Sequence, residues 1–101
     1  MKHYYVKKAG QSKKHRECFD ALASRNNTIL IRYPKSPQAR RFITREDERI
    51  IEDMTKGRIF FDYMNLTDEL SHFSPSNHLN DRGAILLSQS LAEDLRDAGY
   101  G

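Results

Sequence analysis

The chain has 101 residues, of which 38% are apolar and 31% charged, and a formal net charge of +3. That length suits one modest core, and a mean hydropathy of -0.79 leaves that core to a few short segments. The single cysteine, Cys18, excludes an intrachain disulfide; with no Cys or His at zinc spacing from it, neither a metal site nor a cofactor is expected. No apolar run reaches the ~18 residues of a membrane span, and the basic amino terminus lacks the apolar stretch of a secretory signal. A soluble chain in a reducing cytoplasm is expected.

Lys2, Lys7, Lys8, Lys13, Lys14 and Arg16 all precede the first acidic residue, Glu17. Residues 1–12 therefore read as a basic, loosely ordered arm able to touch the phosphates of nucleic acid or anionic lipid. Within it, Tyr4-Tyr5-Val6 is either a short edge strand or linker. Ser12, after Gly10-Gln11, caps a helix expected over 13–24, with Cys18, Phe19, Leu22 and Ala23 as its buried stripe. Residues 28–33 (Thr-Ile-Leu-Ile-Arg-Tyr) are apolar on successive positions, as a parallel strand covered on both faces would be. Pro34-Lys35-Ser36-Pro37 stops that strand.

Thr44 is placed to cap a second helix, with Glu46 and Asp47 in its positive first turn, Ile50, Ile51 and Met54 facing inward and Gly57 ending it. Residues 58–63 (Arg-Ile-Phe-Phe-Asp-Tyr) form the next buried strand, and 64–77 shows no sustained period. The last helix is capped by Asn80 or Asp81, carries Ala84, Leu87, Ser88, Leu91, Leu95 and Ala98 at helical spacing, and closes at Gly99. The fold class is α/β: a small two- or three-layer parallel sheet of two or three strands with about three helices, strands joined by a right-handed crossover. Residues 13–101 form one partial domain in this reading. So small a sheet leaves edges that seek a second copy or a complementary chain.

The run Ser76 to Leu95, with His78-Leu79-Asn80, then Arg82-Gly83-Ala84 and a leucine-rich helix, resembles the carboxyl-terminal block of the SGNH (GDSL-type) hydrolase superfamily. The resemblance covers about residues 13–98, the two strands and their helices standing where the last strand units of that flavodoxin-like sheet stand. It implies that His78 is the general base of an ester hydrolase or acyltransferase, with Asn80 capping the helix and Gly83 admitting close packing. Two departures accompany it. Pro75 occupies the position, three before the histidine, where the family has its orienting aspartate; Asp62 and Asp68 are the carboxylates left to approach. The family's Gly-Asp-Ser nucleophile block and its Gly and Asn oxyanion donors have no counterpart, so the chain is expected to be a carboxyl-terminal portion, inactive alone.

Gly10-Gln11-Ser12 does not substitute for the nucleophile turn, since the residues before it make a poor buried strand and Ser12 is better used as a cap. His72 and His78, six apart, do not share a helix face and suggest no metal site. The competing reading is a small basic binding protein. It would contact a protein through the sheet edge or, as the weaker alternative, nucleic acid through the arm with His3, Tyr4 and Tyr5.

Overall fold

Three short strand segments, each followed in sequence by a helix or a 3-10 turn, build a mixed α/β chain. The computed structural model describes residues 2–3 and 13–100. In order, these form β1 (Lys2–His3), α1 (Lys13–Ala23), β2 (Leu30–Arg32), α2 (Pro37–Arg40), α3 (Arg45–Thr55), β3 (Phe60–Asp62), a 3-10 turn at Leu70–His72 and α4 (Asp81–Asp97). The strands run parallel in the order β1-β2-β3, with Leu30 opposite Phe60 and Arg32 opposite Asp62. Parallel neighbours need crossover connections, which α1 and α3 supply. The described contacts divide into two compact units, one containing Phe42–Asp62 and the described residues up to Tyr33, the other Pro34–Arg41 and the residues from Tyr63 on.

The first unit has an apolar centre of Phe19, Ala23, Leu30 and Met54, with Ile50 and Phe60 packed on it. Ion pairs surround this centre. The Arg32 guanidinium, on β2, is bidentate to Asp62 at 2.9 and 2.7 Å and to Glu48 of α3 at 3.0 and 3.2 Å. Burial opposes its charge, but these two carboxylates more than offset that and raise its pKa. Arg58 stacks 5.6 Å from the Phe19 ring centroid, donates to Asp20 and closes the carboxyl end of α3 through the Met54 carbonyl at 2.8 Å. Desolvation pushes the Asp20 carboxyl up, while hydrogen bonds from Arg16 and Arg58 bring it down to a net lowering.

In the second unit Tyr63 donates its hydroxyl to Asp94 of α4 at 2.6 Å. Burial, then this carboxylate, push the Tyr63 phenol up. Arg40 pairs with Asp68 and donates to the carbonyls of Lys35 (2.9 Å), Met64 (3.2 Å) and Thr67 (2.5 Å), so one side chain gathers the connection after β3.

Several expectations are met closely. Thr44 caps α3, Met54 is 1% exposed and Gly57 turns the chain at φ 72° after Lys56; the structure adds that Asp47 closes a reciprocal capping box with Thr44, and of the two candidate caps of α4 it selects Asn80. Others are corrected. Cys18 is exposed: the inward line of α1 runs through Phe19 and Ala23, and Cys18 lies about 100° around the helix from Phe19. On α4 the inward line begins one residue earlier than expected. Gly83 and Leu87 are buried and Leu91 and Leu95 half-buried, while Ala84, Ser88 and Ala98 are exposed. The segment expected to be a loop after β2 contains α2, with Pro37 at its first turn and Ser36 as its cap. A third strand is present at Lys2–His3; Tyr4 to Val6 and the Ser12 cap lie outside the described residues. No helix among the described residues is long and apolar enough to cross a membrane.

Met54 fixes the first unit, since it is nearly inaccessible and touches the apolar side chains of both helices and the sheet. Met54→Ala should lower the unfolding free energy in urea by about 2–5 kcal/mol, whereas Met54→Leu should cost less than about 1.5 kcal/mol.

Candidate functional site

The loop bearing His78 is assembled from residues 71–83 of the second unit, and most of its order comes from backbone and side-chain hydrogen bonds. Phe73 and Leu79 form an isolated antiparallel bridge, the loop's entry and exit. Inside it the Asn77 N–H donates to the Ser74 carbonyl at 2.9 Å and the Ser74 N–H to the His78 carbonyl at 2.7 Å. Pro75 occupies the second position of that turn, which its fixed φ favours, and Asn77 takes the left-handed conformation at φ 66°, one of the few places where a non-glycine side chain does so readily. Pro75 thus shapes the turn.

Asn80 joins this loop to α4. Its Oδ1 accepts from the Gly83 N–H at 3.0 Å as a helix cap, its Nδ2 donates to the Ser71 carbonyl at 2.7 Å, and its own N–H donates to the His72 carbonyl at 3.0 Å. Gly83 then lies against that same His72 carbonyl. A Cβ there would sit 2.4 Å from the carbonyl oxygen and 2.6 Å from Leu79 Cδ2.

The His78 side chain is exposed and, among the described residues, makes no hydrogen bond or ion pair. Neither expected carboxylate orients it: Asp62 is bound by Arg32 and Asp68 by Arg40. Three serine hydroxyls of the same unit are engaged in hydrogen bonds of their own. Ser74 and Ser76 share a 2.9 Å hydrogen bond, and Ser36, entirely buried, donates to Asn77 Oδ1 at 2.8 Å while accepting from the Ala39 N–H at 3.2 Å. The structure thus places His78 just ahead of the amino end of α4, as the sequence indicates.

His72, in the same unit, does have partners. Its Nδ1 lies 2.8 Å from Thr67 Oγ1, and its Nε2 lies 3.8 Å from a Glu69 carboxylate oxygen. Thr67 also accepts from the Glu69 N–H at 3.2 Å, so this cluster ties down the 3-10 turn. Sequence reasoning assigned nothing to Thr67 or Glu69. Their signal is local, a threonine two residues ahead of an acidic residue at the start of a turn. Among the described residues no group of three or more His, Cys, Asp or Glu is placed to bind a metal.

Comparison with protein-family models, curated proteins and solved structures finds no match to this chain.

The Gly83 contact gives a direct test of the loop-to-helix geometry. Helix propensity alone favours Gly83→Ala by about 1 kcal/mol, whereas the collision with the His72 carbonyl should reverse that and cost about 1–3 kcal/mol. Thermal unfolding decides: a variant as stable as the parent would show that α4 does not approach the turn this closely.

Proposed function

We propose that the chain carries the base-bearing, carboxyl-terminal part of an SGNH-like ester hydrolase site, with His78 as the general base, and that it does not hydrolyse esters alone. The observation that supports this reading most is the presentation of His78. Its imidazole is open to solvent at the amino end of α4, on a loop fastened by the Asn80 cap and the Phe73–Leu79 bridge. Consecutive parallel strands ahead of that loop agree with the last units of a flavodoxin-like sheet.

In such a site the imidazole accepts the proton of a serine hydroxyl as it attacks the acyl carbon. It then returns that proton to the departing alkoxide. Imidazole suits both steps because its ordinary pKa lies near neutrality. The nucleophile and the donors for the tetrahedral oxyanion have to come from another polypeptide segment, because the sequence has no Gly-Asp-Ser block. Without an orienting carboxylate, His78 relies on its loop and on whatever that segment supplies.

Hydrolysis of a short-chain aryl ester tests the proposal. The chain and its His78→Ala variant should both stay at the buffer rate. Adding an amino-terminal SGNH segment with a Gly-Asp-Ser nucleophile should raise the rate by roughly 10²-fold or more with the parent chain only. Turnover by the isolated chain, or equal turnover with His78→Ala in the mixture, would contradict it.

A further inference from the structure

Ser36 and Asn77 are 41 residues apart in sequence, yet the hydroxyl of one donates to the side-chain carbonyl of the other at 2.8 Å. Two features set this bond apart from ordinary surface contacts. Ser36 is the one polar residue in the described chain that is completely buried, so its hydroxyl has no solvent to fall back on. Asn77 is the one non-glycine residue among those described with positive φ, and it immediately precedes His78. A buried donor thus grips the residue whose left-handed backbone sets the direction in which the chain enters His78.

The geometry points to a latch: we infer that Ser36, fixed by its own role as cap of α2, holds Asn77 in its left-handed conformation and so acts as a positioning residue for the His78 imidazole. Ser36 carries no nucleophilic role in this arrangement. Its oxygen accepts the Ala39 N–H and its proton is committed to Asn77. The segment after β2 that carries Ser36 is anchored further by Arg40 on the Met64 and Thr67 carbonyls. The bearing on catalysis rests on the reading of His78 as a base; the latch itself does not.

Left-handed backbone costs an asparagine less than most residues, but an unlatched turn has other conformations open to it. Backbone order parameters from nitrogen-15 relaxation therefore read the latch without any assay of activity. In the parent chain Asn77 and His78 should lie near the rigid value of about 0.85. Ser36→Ala should drop both below about 0.6 and shift the His78 ring resonances, with the centre of α4 unchanged. Because Ser36→Ala also removes the α2 cap and can unfold the unit, Asn77→Ala and Asn77→Asp approach the same bond from its exposed end. Asn77→Ala should mobilise His78, and Asn77→Asp, which keeps the acceptor, should restore its order and its ring resonances. A rigid His78 with parental ring resonances in folded Asn77→Ala would overturn the latch. Mobilised His78 together with no complemented ester hydrolysis would keep the latch and reject the base reading, so the two failures are distinguishable.

Discussion

The second unit depends on Asn80. One side chain and its own amide connect three backbone segments: the first turn of α4 through the Gly83 N–H, the 3-10 turn through the Ser71 and His72 carbonyls, and the loop entry through Phe73. A cap contributes about 1 kcal/mol, and each further hydrogen bond about 0.5–1.5 kcal/mol net. In a unit whose buried apolar side chains are few, Tyr63, Phe73 and Leu87 among them, contributions of that size decide whether the loop is ordered. The chemistry also explains why asparagine stands there: serine or aspartate would cap the helix equally well, but neither has the amide N–H groups that reach back to Ser71 and Phe73.

The first unit solves a related problem by other means. A strand of three residues offers little ladder, and Leu30–Arg32 against Phe60–Asp62 would be a weak pair by itself. Arg32 reinforces it, because its guanidinium bonds to the residue directly opposite on β3 and to α3 as well. A planar fork with five donors can pair with both carboxylates bidentately, which a lysine cannot. These pairs are partly solvent-exposed, so they specify register and helix placement more than they add stability, and the Phe19, Leu30 and Met54 contacts supply the larger share.

Much of this was legible in the sequence where local chemistry is strong. The Thr44 cap, the Gly57 stop, a cap at Asn80 or Asp81 and the alternation of helix and strand all follow from residues a few positions apart. What was not legible depends on contacts between distant residues. Cys18 and Phe19 are both apolar enough for a core, and only the placement of α3 and the sheet selects Phe19. The inward line of α4 passes through Gly83 instead of Ala84 because the helix must approach the His72 carbonyl. Ser36 reads as a proline-flanked loop residue until Asn77, far along the chain, is found beside it. His78 was singled out from its place in a turn-rich loop ahead of the last helix; that its side chain is exposed, and that Arg32 and Arg40 pair with Asp62 and Asp68, is visible only in the structure.

The loop presenting His78 is held chiefly by its own polar contacts and needs no partner to order it. Amide hydrogen exchange of the isolated chain tests this most directly. The N–H groups of Ser74, Asn77, Asn80 and Gly83, which donate within the loop and to the cap, should exchange slowly compared with unpaired amides of the same segment. Exchange of those four at the rate of an unstructured peptide, with α3 protected in the same sample, would contradict a preformed loop.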